Sequence, residues 1–135
     1  MKKVIPIDAE RVMSAANISE RHKSIIWNCL RITVCEFISF DEMISLIGRA
    51  VDSCYDNVND VYHAELIDLS IRSAVVQGYT NIELPSDISD RFALLYYTTL
   101  FDLIKSAIST SQLTYITRAV SMLIGAPFMD EHATV

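Results

Sequence analysis

The longest stretch with helical periodicity runs from Leu84 to Ser109, and it constrains the fold more than any other part of the chain. Ser86 or Asp87 can cap a helix at its start. Apolar residues cover more than half the circumference of that helix, so several neighbouring elements must bury it. Its polar residues share one narrow stripe: Arg91, Thr98, Asp102, Lys105 and Ser106. The pattern predicts a central helix over 87–108.

Composition limits the class of protein. The chain has 135 residues, of which 51% are hydrophobic, with three glycines and three prolines. These values argue against disorder and against an all-β fold, which needs frequent turns. No stretch reaches the ~18 uncharged residues of a membrane-spanning helix, and the apolar run after Met-Lys-Lys is too short for a signal peptide. We therefore expect one helical domain over 1–125, no membrane association and a cytoplasmic location, with 126–135 as a tail that is mobile or bound to a partner.

Five further helices are predicted from apolar periodicity and capping residues. They cover residues 9–17, 20–38, 40–55, 61–77 and 111–124. The clearest start is Ser39, which with Glu42 has the form of a capping box, while Ile38 and Met43 stand where a hydrophobic staple places them. The predicted fold class is all-α, a single-domain bundle of about six helices with 61–77 and 87–108 at its centre.

One segment leaves the fold class open. Residues 31–35 are rich in β-branched side chains and could also form a strand, although the polar residues around them show no clean alternation and favour the helix. The alternative fold is therefore α+β, with a small N-terminal sheet formed by 3–7 and 31–35. Cys29, Cys35 and Cys54 make an odd number without paired spacing, which is typical of buried thiols in a reducing compartment.

No catalytic or metal site, and no cofactor, is predicted. The chain lacks Glu-x-x-His and Cys-x-x-Cys motifs, and its three glycines cannot form a phosphate-binding loop. His63 is the one residue that invites a ligand interpretation. A small enzyme or ligand-binding helical bundle that uses His63 with Tyr62 or Tyr79 therefore stays an alternative.

Charge is unevenly distributed. Residues 1–31 hold six basic and three acidic residues, whereas the remainder holds five basic and fourteen acidic ones. A net charge of −6 makes nucleic-acid binding an unfavoured hypothesis, because such proteins show a basic surface. A basic head and an acidic body would suit head-to-tail association or docking to a charged partner.

The last predicted helix offers the best candidate for an interface. Its outer face is rich in hydroxyl groups and nearly uncharged, and the tail that follows carries an aromatic residue and a methionine, as interface cores do. The predicted partner-binding residues are Thr114, Thr117, Arg118, Ser121, Met122, Phe128 and Met129.

These observations favour a non-enzymatic protein–protein interaction module that self-associates. In size, composition and helical content the chain resembles bacteriophage and prophage accessory proteins, such as head–tail connectors or assembly factors. A phage-encoded inhibitor of a host defence protein is the alternative of the same type. The resemblance implies a protein partner or a homo-oligomer, located in the virion or the host cytoplasm.

Overall fold

The computed structural model describes residues 3–16 and 22–125, and this part is mostly helical, at about 59%. It contains six α-helices and two small antiparallel sheets. In chain order the elements are α1 (Ala9–Ala16), β1 (His22–Trp27), β2 (Leu30–Cys35), α2 (Phe40–Ser53), β3 (Tyr55–Asp56), β4 (Val61–Tyr62), a 3-10 turn (Ala64–Leu66), α3 (Ile67–Tyr79), α4 (Ile88–Tyr96), α5 (Leu100–Ala107) and α6 (Thr110–Ile124).

The predicted helix over 20–38 is wrong, because residues 22–35 form a β-hairpin. Strands β1 and β2 pair in register from His22 with Cys35 to Trp27 with Leu30. The two turn residues, Asn28 and Cys29, both have positive φ, of 50° and 63°. This combination is typical of the tight turns whose twist matches that of the paired strands. The strand alternation buries Ile32 and Val34 and leaves Thr33 exposed.

The α+β alternative is therefore closer to the structure than the all-α prediction. It placed 31–35 in a sheet, and that segment lies in β2. Its proposed partner strand is wrong, since β2 pairs with His22–Trp27 whereas residues 3–7 are exposed and outside any strand. The hairpin is joined to the helical core, because Val34 also forms a β-bridge with Thr80, the residue that follows α3.

Helix α3 lies at the centre of the core, and α2 and α6 pack against it. It begins at Ile67, later than the predicted 61, because β4 and the 3-10 turn occupy 61–66. It then continues through Gly78, which is not a terminating residue. A Cβ added at Gly78 would lie 2.5 Å from Cδ1 of the fully buried Leu46. Glycine there allows α2 and α3 to approach closely.

The predicted helix over 87–108 is divided into α4 and α5 by a break at 97–99. The guanidinium of Arg72 on α3 lies against the last turn of α4. It lies 4.0 Å from the ring centroid of Tyr96, and its Nη1 donates a hydrogen bond of 3.0 Å to the carbonyl of Leu95. In a continuous helix that carbonyl would accept from residue 99. At the break itself, Thr98 Oγ1 donates to the carbonyl of Leu94 and accepts a hydrogen bond of 3.3 Å from the backbone N–H of Leu100, so a local and a distant side chain both bind backbone groups there.

The predicted N-cap of α2 is confirmed, and the predicted end of the last helix at 124 agrees with the end of α6. The hydroxyl of Ser39 accepts from the backbone N–H of Glu42, and Ile38 and Met43 are both buried. Helix α6 ends at Gly125, whose φ of 81° is accessible to glycine at little cost. No helix within 3–16 or 22–125 has the length and apolar character needed to cross a bilayer.

Candidate interaction surface

An apolar groove of about 660 Å³ lies between α2 and α6. We call it the α2–α6 groove. Ile44 and Gly48 line it from α2, and Tyr115, Arg118, Met122 and Leu123 line it from α6. The two helices pack against each other, and Ile47 of α2, which also lines the groove, and Ile116 of α6 are both buried.

The side chains around the groove are unusually exposed for apolar groups. The exposed fraction is 76% for Met122, 64% for Leu123, 49% for Tyr115 and 45% for Ile44. Phe40, one turn before Ile44 on α2, is also exposed. Single exposed apolar residues are common, but a contiguous group on two packed helices is typical of an interaction site.

Gly48 lies in the interior of α2, where glycine is unfavourable by about 1 kcal/mol relative to alanine. A Cβ added at this position would meet no atom within 4 Å. No close contact inside the described chain therefore requires glycine here, in contrast to Gly78. Because Gly48 lines the α2–α6 groove, its missing side chain lets an incoming element approach the backbone of α2.

Charged residues lie near the groove on α2 and within its lining on α6. Asp41 lies three residues before Ile44 and Asp52 lies four residues after Gly48, so both share a side of the helix with groove residues. Both are exposed, and neither forms an ion pair with any residue of 3–16 or 22–125. Among the described residues that line the groove, Arg118 alone is charged, and Asp41 lines a separate pocket with Glu42 and Arg49.

Only some of the predicted partner-binding residues line the groove. Arg118 and Met122 line the groove, whereas the exposed Thr114 lies outside its lining. Thr117 is half-buried and donates a hydrogen bond of 2.9 Å to the carbonyl of Leu113. The expectation that Ser121 lies on the outer face is wrong, since only 7% of it is exposed. Phe128 and Met129 lie outside the described residues.

Sequence reasoning missed the residues that make the groove apolar. Tyr115, Leu123 and Ile44 are not among the predicted partner-binding residues, because Leu123 and Ile44 fall within the apolar series of their helices. The signal that could have found the α2 side is Gly48, an unexplained glycine in a helix that is otherwise well capped. No local sequence pattern indicates that α2 packs against α6, because these helices are far apart in the sequence.

His63 lies in a different place, beside the β3–β4 hairpin. Its Nδ1 is 2.8 Å from Oε1 of Glu65, and its Nε2 is 3.2 Å from Oδ2 of Asp56. These contacts, the one with Asp56 above all, raise the pKa of His63 above its ordinary value. The pKa of Asp56 falls to about 2, chiefly because the side chain of Asn59 donates to its carboxylate and also because His63 does.

The residues considered for a ligand site with His63 are not brought together. Tyr62 is exposed and packs against Tyr55, with ring centroids 5.1 Å apart. Tyr79 is buried at the far end of α3, about 18 Å along the helix axis from its first residue. Within 3–16 and 22–125, no group of three or more His, Cys, Asp or Glu residues is placed to hold a metal ion.

The α2–α6 groove is therefore the candidate interaction surface of the described chain. Comparisons with protein-family models, with curated proteins and with solved structures found no match.

Proposed function

We propose that this chain is a non-enzymatic protein–protein interaction module that self-associates through the α2–α6 groove. The observation that carries the proposal is the exposure of Met122, Leu123 and Tyr115 beside Ile44, across two packed helices. Covering these side chains would remove apolar surface from water, at roughly 25 cal/mol for each Å².

The chemistry of the groove supports a protein as the bound molecule. Tyrosine, methionine and arginine are enriched in protein interfaces, and the groove contains one of each in Tyr115, Met122 and Arg118. Lysine and the acidic residues, which interface cores lack, do not line it. The groove is also open along its length between two helices, a shape that accepts a helix.

The finer form of the proposal is an accessory protein of bacteriophage type, either a head–tail connector or an assembly factor. Its support is the small, mostly helical and acidic chain together with a surface suited to subunit contacts. A connector requires many identical subunits to meet. An inhibitor of a host defence protein would instead use the groove for one foreign partner and remain a monomer or dimer.

Size-exclusion chromatography with light scattering on the full chain tests self-association. We expect the mass to rise with protein concentration, and we expect Met122→Asp to weaken association at least tenfold by placing a charge in the groove. Thr114→Asp is the matched control, since it adds the same charge on α6 outside the groove lining and should leave the mass unchanged. A parent chain that stays monomeric at every concentration would contradict the proposal.

A further inference from the structure

We propose that the tail, residues 126–135, binds in the α2–α6 groove of its own chain and competes there with a second copy. These ten residues follow Gly125 and lie outside the described residues. The contact itself is independent of the proposed self-association, whereas its regulatory effect rests on that proposal. In a single chain the groove would then be covered, and it would open to a second copy only when the tail leaves.

The tail begins at one end of the groove. Met122 and Leu123, which line the groove, belong to the last turn of α6, and Gly125 directly follows that helix. Gly125 has a φ of 81°, a left-handed conformation, so the chain does not continue along the helix axis beyond it. The covalent connection therefore holds the tail close to the groove.

The tail is long enough to reach the charged residue of the groove. Arg118 lies seven residues before Gly125 on α6, which corresponds to about 10 Å along the helix axis. Asp130 lies five residues after Gly125, and five residues span up to about 17 Å when they are extended. A tail that turns back at Gly125 can therefore lie along the lining of the groove as far as Arg118.

Charge favours the tail over residues 3–16 as the bound segment. Arg118 is the only charged residue among the described residues that line the groove. The tail carries two adjacent acidic residues, Asp130 and Glu131, and no lysine or arginine, whereas residues 3–16 hold as many acidic as basic residues. An ion pair between exposed side chains contributes at most about 1 kcal/mol, so this pairing fixes the register more than the affinity.

The order of apolar and charged residues is the same in the tail and in the groove. Phe128 and Met129 come directly before the acidic pair of the tail. Going back along α6 from its end, the groove likewise presents Leu123 and Met122 before Arg118. A tail that turns back along α6 therefore meets exposed apolar side chains first and the guanidinium second. Burial of its own two apolar residues there removes apolar surface from water and supplies the affinity.

Attachment to α6 favours the tail over a second copy at low protein concentration. A segment tethered by a few residues meets its site at an effective concentration on the order of 1 mM. A second copy must overcome that advantage before it can enter the groove. If the tail covers the groove in roughly nine molecules of ten, self-association weakens about tenfold, because only the open fraction can bind.

Amide NMR of the full-length chain, at a concentration too low for association, tests the contact itself. Phe128→Asp places a charge against the apolar lining of the groove and should release the tail. We expect the amide signals of Ile44 and Gly48 on α2 to shift, although both residues are distant from Phe128 in the sequence. Thr134→Asp adds the same charge to the tail beyond its acidic pair and should leave those two signals in place.

A charge exchange tests the pairing of Arg118 with the acidic pair. Arg118→Glu alone should move the amide signal of Gly48 towards its position in Phe128→Asp. Combining this change with Asp130→Lys and Glu131→Lys should move the signal back towards its position in the parent chain, because opposite charges face each other again. If the combined variant resembles Arg118→Glu, the acidic pair does not bind that side chain and the proposed register is wrong.

Light scattering on full-length chains tests the competition with a second copy. We expect Phe128→Asp to associate about tenfold more tightly than the parent chain, because its groove is open. Adding Met122→Asp should abolish that gain, which would place the gain in the groove. Thr134→Asp should associate like the parent chain. Circular dichroism during heating verifies that every variant is folded.

The outcomes separate this inference from the proposed function. If Phe128→Asp leaves the α2 amide signals unshifted, the tail does not bind the groove and the inference is wrong. If the signals shift but the variant associates no more tightly than an associating parent chain, the tail does not compete with a second copy and the regulatory effect is wrong. If the signals shift and no variant associates at any concentration, the proposed self-association is wrong and the contact within the chain stands.

Discussion

The hydroxyl of Tyr79 donates a hydrogen bond of 2.7 Å to the side-chain oxygen of Gln112, joining the last turn of α3 to the first turn of α6. The same amide binds both backbone groups of Ile38, accepting from its N–H at 3.1 Å and donating to its carbonyl at 2.9 Å. Gln112 therefore connects α3, α6 and the chain entering α2. Burial raises the pKa of Tyr79, so its hydroxyl stays protonated and able to donate.

Removing the Gln112 amide should destabilise the fold more than removing the Tyr79 hydroxyl. We expect Tyr79→Phe to lower the free energy of unfolding by about 1 kcal/mol, the value of one hydrogen bond. Gln112→Met should lower it by about 2 to 3 kcal/mol, because the backbone groups of Ile38 lose their partner. Urea denaturation measures both, with Thr114→Ala on the exposed side of α6 as the control. Equal losses for the two variants would contradict the central role of Gln112.

Gly48 and Gly78 form a matched pair in which the same substitution should have opposite effects. Gly48→Ala should raise the free energy of unfolding by about 0.5 to 1 kcal/mol, since alanine favours the helix and its Cβ meets no atom within 4 Å. Gly78→Ala should lower it by about 1 to 2 kcal/mol, because the new Cβ would overlap the buried Leu46. Thermal unfolding at dilution low enough to prevent association compares them. A stabilised Gly78→Ala would show that Leu46 can move away at little cost.

The contact between Asp56 and His63 should make the stability of the β3–β4 hairpin depend on pH. The pKa of Asp56 is lowered to about 2, so its contribution is present above pH 4 and is lost as the pH falls towards 2. The pKa of His63 is raised, so its contribution is complete below pH 6.5 and is lost as the pH rises through the folded value. The contact should therefore stabilise the hairpin most between about pH 4 and 6.5.

NMR titration of the His63 ring measures this effect directly. The midpoint should lie above 6.5, and Asp56→Asn should move it down, because Asp56 makes the largest contribution to the shift. The difference in Tm between the parent chain and His63→Gln should also shrink above the titration midpoint. A midpoint that Asp56→Asn leaves unchanged would show that Asp56 does not act on the ring.

Cys29→Gly should stabilise the β1–β2 hairpin. Cys29 has a φ of 63°, a left-handed conformation that is unfavourable by roughly 1 to 2 kcal/mol for a residue with a Cβ. An Asn-Gly turn is preferred at this place in two-residue hairpins, and Asn28 is already present. We expect a gain of about 1 kcal/mol in urea denaturation. Ser24→Gly, in the interior of β1, should instead lower stability, and a gain there would point to a cause other than turn geometry.

Elements with local signals could be predicted from the sequence. Ser39 and Glu42 lie within one turn of each other, and the predicted start of α2 is confirmed. Helix α6 begins at Thr110, one residue before the predicted 111, with Ser109 as its N-cap. The β1–β2 hairpin was missed because Cys29 occupies the place where glycine would have indicated a turn.

Features that depend on distant contacts were not predicted. At the break after α4, Arg72 from another helix donates to the carbonyl of Leu95, and in the sequence only Thr98 and Thr99 interrupt the apolar residues there. Part of the α2–α6 groove was not predicted either, because it also depends on packing between helices that are distant in the sequence. Ile44 and Leu123 appear as core positions on their own helices, and only the packing of α2 on α6 leaves them exposed.

The three cysteines have a consequence for experiments on the unmodified chain. Cys29 is exposed in the hairpin turn, Cys35 is half-buried and donates to the carbonyl of Phe37, and Cys54 is fully buried beside Ser70. Burial also raises the pKa of Cys54, which lowers the fraction of reactive thiolate. A thiol reagent should therefore modify them in that order. The rates would report separately on the turn, on the junction between hairpin and helices, and on opening of the core, with no label introduced by mutation.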